Sequence, residues 1–187
     1  MHLRESSMPP QECWESFFDA DAIVARFALC GDIAELGCGY GTFTLPLARR
    51  TRGTVYAIDI DPLMVETAQR RAADSGLDNV KAEARDVLAG GFGVPDASLD
   101  GVLMFNILHG ELPLQMLGEA KRVLKPGGTL AVIHWRSDIE TPRGPSHAIR
   151  PPPGRIIAWA SQVGGFELRQ PSFLLPPWHF GLEFVSK

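Results

Sequence analysis

The stretch Ala34-Glu-Leu-Gly-Cys-Gly-Tyr-Gly-Thr42 constrains this chain more than any other. Gly37, Gly39 and Gly41 alternate between a short apolar run and a segment of helical pattern. A tight turn needs positive φ, and a ligand can touch backbone closely only where no Cβ intervenes, so both demands select glycine. The helix that follows would offer free N–H groups to an anion. The loop therefore reads as the first strand-to-helix turn of an α/β sheet, with a ligand held against its backbone.

The rest of the chain agrees with that sheet. Residues 10–29 are helical in pattern, with Trp14, Phe17 and Phe18 at i, i+3, i+4 and with Asp19 or Asp21 able to cap a second short helix. Strands are predicted at 32–36, 54–58, 80–84, 99–105 and 129–134, and helices at 43–51, 62–75 and 114–124. Asp61-Pro62 reads as an N-cap followed by proline at the first helical position. Lys125-Pro-Gly-Gly128 reads as a turn. A last helix carries Ile156, Ala160 and Val163, and strands at 166–174 and 179–185 follow it. Alternating strand and helix predict a parallel sheet with helices on both faces, a three-layer sandwich. The closing strand–loop–strand can join only antiparallel neighbours, so the final strand should run against the others.

Length and charge narrow the function. The 187 residues predict a single domain over 1–187: a helical segment at 1–29, a ligand-binding core at 30–135, and a helix with a strand pair at 136–187. A net charge of -4 gives no overall electrostatic footprint for nucleic acid. Cys13, Cys30 and Cys38 form no metal or disulfide pattern, which fits a reducing cytoplasm. No run approaches the ~20 apolar residues of a membrane span. Met1 to Pro10 lack the apolar stretch of a signal peptide.

Two ligand types compete for the glycine loop. A dinucleotide loop reads G-x-G-x-x-G. Here the spacing is G-x-G-x-G, Thr42 stands at the third dinucleotide position, and Glu35 precedes the first glycine by two. In this arrangement Glu35-Leu-Gly-Cys-Gly-Tyr-Gly41 resembles the first motif of the class I S-adenosylmethionine-dependent methyltransferases. Val55-Tyr-Ala-Ile-Asp-Ile-Asp-Pro62 resembles their second-strand motif, Asn79-Val-Lys-Ala-Glu-Ala-Arg-Asp-Val87 their third, and Leu99-Asp-Gly-Val-Leu-Met-Phe-Asn-Ile-Leu-His109 their fourth. Arg122 to Leu130 resembles the helix–turn–strand after it. The last part, with Leu175-Pro-Pro-Trp-His-Phe180, more loosely resembles the quinone-biosynthesis methyltransferases.

The resemblance implies a Rossmann-like methyltransferase fold with seven strands in the order 3-2-1-4-5-7-6. It implies S-adenosylmethionine as cofactor, S-adenosylhomocysteine as product, and no metal. Gly37, Cys38, Gly39, Tyr40 and Gly41 would hold the methionine part, with Glu35 supporting the loop and the amino group. Asp59 would bind the ribose hydroxyls and Ile60 pack on adenine. Asp86 would take the adenine amino group, with the Val87 N–H at the ring. Asn106 and Ile107 would end beside the transferred methyl. Asp61 reads as a helix cap.

If the acceptor is a phenol, an enol or an ammonium, a base must take its proton. His109 and His134 follow the fourth and fifth strands, at the carboxyl ends where ligands bind in such sheets. Each also has a structural reading, and so does His179 between Trp178 and Phe180. Glu111 could orient His109 or replace it. The Asn/Asp-Pro-Pro-aromatic run of amino-directed DNA methylation and the Pro-Cys of base-carbon methylation are both missing, and with the acidic balance this favours a small-molecule acceptor. The alternative is a non-catalytic protein that binds the same cofactor as a sensor or docks a partner. Short lids predict an open site, or one closed by a second copy in a homodimer.

Overall fold

The protein is described by a computed structural model over residues 8–187. The parts of the leader reading and of the 1–29 segment that fall on Met1–Ser7 lie outside the described residues. Two short helices come first, α1 (Gln11–Glu15) and α2 (Ala20–Phe27). Asp19 separates them, because its side chain accepts the Ala22 N–H at 3.0 Å and caps α2. α2 closes on Ala28, held in the left-handed region at φ 48°.

The sheet then builds as expected. β1 (Ile33–Leu36) leads through the glycine loop to α3 (Thr44–Arg50), and β2 (Val55–Asp59) leads to α4 (Pro62–Asp74). Asp61 caps α4 by accepting the Leu63 N–H at 2.9 Å. β3 (Val80–Ala84) is followed by α5 (Val87–Gly90), a four-residue helix that the sequence pattern does not show. β4 (Leu99–Phe105), α6 (Pro113–Val123) and β5 (Leu124–Trp135) come next, then α7 (Pro153–Val163) and the short strands β6 (Phe166–Leu168), β7 (Phe173–Leu175) and β8 (His179–Ser186). The Lys125–Gly128 turn is an irregularity within β5: Leu99 pairs with Leu124, but Gly101 already pairs with Thr129.

The strand order is β3-β2-β1-β4-β5-β8-β6, with β8 antiparallel to its neighbours. One expected strand at 166–174 is instead two. β6 and β7 both pair with β8, but the four residues 169–172 span only two positions of β8, Glu183 and Leu182. Pro171 has no N–H for a ladder, so the chain bulges there. The Arg169 N–H stays on the Glu183 carbonyl at 2.9 Å, and its guanidinium pairs with the buried Glu183 carboxylate at 2.7 Å.

β4 explains why the sheet is covered on both faces. Val102 and Met104 point into one buried cluster with Leu117 and Leu130. Leu103 and Phe105 point into the other, with Leu47 and Ile133. Alternate residues of one strand thus feed two cores, each fully buried side chain contributing about 1.5–3 kcal/mol. Among the described residues no helix is long and apolar enough to cross a membrane.

Ala28 is exposed and carries a Cβ in a conformation that costs an L-residue about 1 kcal/mol. Ala28→Gly should therefore raise stability by about that amount, read as a rise in Tm of a few degrees by calorimetry.

Candidate active site

The order reverses between β1 and β4, so their carboxyl ends diverge and leave a crevice. The glycine loop spans it. Gly37, Gly39 and Gly41 have φ of 80°, 51° and 78°. The Gly37 and Cys38 N–H groups donate to the Ile58 carbonyl at 2.7 and 3.0 Å. Gly41 answers a packing demand, since a Cβ there would stand 2.8 Å from Leu45 and 3.3 Å from Ala68. Asp59, at the end of β2, holds the loop from below. Its Oδ2 accepts the Gly39 N–H at 2.9 Å and its Oδ1 the Asp61 N–H at 3.0 Å.

A cavity of about 540 Å³ opens over this loop. One half is lined by Gly37, Cys38, Gly39, Asp59 and Ile60, and then by Asp86 and Val87. Asp86 also caps α5, its Oδ1 accepting the Leu88 and Ala89 N–H groups. Asn106 and Ile107 line the centre. Asn106 has φ 59°, and both atoms of its buried side-chain amide lack a hydrogen-bond partner. A buried unsatisfied amide is costly, and this one belongs to a residue on the cavity wall.

Glu35, Tyr40 and Gly41 are not on the wall. Glu35 lies behind the loop, 1% exposed, where it accepts a hydrogen bond from the Thr44 hydroxyl. Burial raises its pKa from the usual 4.5 to about 8, against the Thr44 bond that lowers it, and the Asp59 charge adds to the rise. Burial also raises Asp59, though the Asp61 and Gly39 N–H groups oppose it. Burial and these two carboxylates push the Cys38 thiol up. Two desolvated acids thus influence one another across the loop, and among the described residues no cation is paired with either. Among the described residues no group of three or more His, Cys, Asp or Glu is placed to hold a metal ion.

The other half is aromatic. Trp14, Phe43, Phe105 and Trp135 line it with Met8, and His109 and Arg143 are its ionisable groups. Trp14, Phe18, Phe43 and Phe105 form a chain of tilted and edge-on rings 4.8–5.0 Å apart. His109 presents a buried Nδ1 with no partner, and burial and the nearby Arg150 lower its pKa. His134 sits off the wall, fully buried, its ring 5.4 Å from that of His109. Burial drives its pKa down to about 3. His179 stacks on Trp135 at 4.1 Å and on Phe18 at 4.6 Å and belongs to the packing. Glu111 is exposed and not on the wall.

Two fasteners hold this aromatic half, and neither is visible as a motif. Glu15 Oε1 pairs with Arg71 at 2.7 Å, Arg71 also donates to the Tyr40 carbonyl at 2.6 Å, and the Tyr40 hydroxyl donates to the Pro9 carbonyl at 3.0 Å. This chain ties the N-terminal strap to the glycine loop. Arg150 is 7% exposed and donates to the carbonyls of Pro145, Arg136 and Arg143 at 2.8, 3.0 and 3.1 Å. It pins the 136–150 segment so that Gly144 lies against the Trp135 ring, where a Cβ would come within 2.9 Å.

A reversed strand order, a glycine loop at the switch point and carboxylates at successive strand ends define a nucleoside-cofactor fold. Comparison with known proteins makes it specific. The family described as "Methyltransferase domain" matches residues 33–128. A crystal structure of a SAM-dependent methyltransferase from Aquifex aeolicus superposes with a TM-score of 0.82 at 26% identity, covering 95% of this chain and 94% of that one. Demethylmenaquinone methyltransferase of Tropheryma whipplei (strain Twist) is 35% identical over 105 residues, 56% of this chain and 41% of that protein. Ribosomal protein L11 methyltransferase of Dechloromonas aromatica (strain RCB) is 33% identical over 101 residues, 54% of this chain and 31% of that protein. The chain spans less than half the length of these two curated relatives. It belongs to the class I S-adenosylmethionine-dependent methyltransferase family.

The raised Glu35 pKa has a sign that can be checked. Between about pH 4.5 and 8 the folded protein keeps a proton that the unfolded chain releases. Its stabilising contribution is complete below that window and lost as pH rises through it. Glu35→Gln keeps an acceptor for Thr44 but cannot ionise. Without ligand, the Tm of the variant relative to the parent should climb across this window; a constant difference would refute the assignment.

Proposed function

We propose that the chain binds S-adenosylmethionine across the ends of β1, β2 and β4 and transfers its methyl to a small molecule. The observation that carries the reading is the pairing of two desolvated carboxylates, Glu35 and Asp59, with the orphaned amide of Asn106 at one crevice. A cationic ligand rich in polar groups answers both needs. When bound, the cofactor supplies an electrophilic methyl on a sulfonium and leaves as S-adenosylhomocysteine.

The protein's part is position and proton handling. Asp59 has lone pairs left after its two backbone bonds and offers them to a ribose diol. Ile60 and Val87 flank the adenine, with Asp86 at its edge. Gly37, Cys38 and Gly39 let backbone approach the methionine end, while Tyr40 and Gly41 shape the loop and Glu35 neutralises the positive charge through it. Asn106 and Ile107 meet the ligand at the centre, where the aromatic half begins. His109, neutral because burial lowers its pKa, lines the cavity on this side and is the base assigned to an acceptor proton. His134 lies one ring behind it and acts as a support. The aromatic walls support a small acceptor over a macromolecule. Three unpaired cysteines support a reducing, cytoplasmic setting.

Asp59→Ala should weaken S-adenosylhomocysteine binding at least about tenfold by calorimetry, because two charge-assisted bonds are lost. Ligand binding should also release protons near pH 7, as a cation lowers the Glu35 pKa; Glu35→Gln should release fewer, measured in buffers of different ionisation enthalpy. His109→Ala should cut kcat by roughly 10²–10⁴ at nearly unchanged cofactor affinity. Full turnover in that variant would remove His109 as the base.

A further inference from the structure

We propose that the acceptor is an aromatic hydroxy acid, a flat ring system whose hydroxyl takes the methyl while its carboxylate is held by Arg143. The proposal rests on the cofactor reading above and adds the acceptor's shape and charge.

Shape comes from the walls. Trp14, Phe43, Phe105 and Trp135 face this half of the cavity, and the Gly144 backbone closes against the Trp135 ring. Such surfaces favour a planar apolar body, through burial and through ring–ring geometry.

Charge comes from an imbalance. The two acids on the cavity wall, Asp59 and Asp86, belong to the cofactor half. Among the described residues the acceptor half has none. Behind it Arg150 is buried on three carbonyls, and among the described residues no carboxylate bonds to it; Glu140 acts on it from a side chain 97% exposed. A buried cation without an anion nearby is costly. An anionic acceptor supplies the missing charge, and an ammonium acceptor would add a second cation to the same space.

Arg143 gives the anion a seat. It lines the cavity, its backbone is fixed by Arg150, and its guanidinium makes no hydrogen bond or ion pair among the described residues. A planar guanidinium matches a carboxylate in a two-bond fork. With the carboxylate so held, the hydroxyl faces His109. Its proton passes to the His109 imidazole, and an oxygen electron pair forms the new O–C bond as the methyl's bond to sulfur breaks, that pair remaining on sulfur.

The test measures binding first. Protein saturated with S-adenosylhomocysteine is titrated with a hydroxynaphthoate, with naphthol and with naphthylmethylamine. The hydroxynaphthoate should bind tightest and the amine weakest. Arg143→Ala should weaken the hydroxynaphthoate about tenfold or more and change naphthol by less than about twofold. With S-adenosylmethionine, mass spectrometry should find a methyl ether. Amine binding equal to or tighter than the hydroxynaphthoate, an unchanged affinity in Arg143→Ala, a methyl ester, or no methylated product would each overturn the proposal. Failure of S-adenosylhomocysteine itself to bind would instead overturn the cofactor reading.

Discussion

The Asp59 carboxylate is the joint on which the site depends. One oxygen holds the glycine loop through Gly39 and the other holds the start of α4 through Asp61. Both bonds are charge-assisted, the one to Gly39 buried and the one to Asp61 partly so, which makes them strong and geometrically strict. They fix the distance between the loop and the end of β2, and thus the width of the crevice. The residue that serves a ligand also serves the backbone around it. Any change at Asp59 is felt as altered loop geometry as well as a lost contact.

The division of the cavity follows from topology. The cofactor half is built from strand ends and tight turns, elements that a parallel sheet places rigidly. The aromatic half combines Phe43, Phe105 and Trp135, set by the same sheet, with what precedes the sheet and with the segment between β5 and α7, both fastened by side chains.

How much of this could be read in the sequence differs by residue. The alternation of strand and helix, the antiparallel β8 and the caps, at Asp61 and at one of Asp19 or Asp21, were legible because hydrophobic period, glycine and proline act locally; the strand order followed from the family resemblance. The break between β6 and β7 was not legible, although Pro171 marks it, because a two-residue bulge depends on the register of the partner strand. The turn at Gly37 and Gly39 was legible from glycine spacing, while Asp59 was singled out by the resemblance. Arg150 was not, since three carbonyls from a folded-back loop leave no pattern in the chain. His134 stood behind His109 as a second candidate at the end of a strand, and packing shows that His109 lines the cavity while His134 lies sealed behind it.

The Glu15–Arg71–Tyr40 chain ties two mobilities together. Arg71 grips the strap and the glycine loop with the same nitrogen, so neither can loosen without disturbing a bond to the other. A displacement of the strap is thereby transmitted to the glycine loop, and the reverse, so the two halves of the cavity are mechanically one piece.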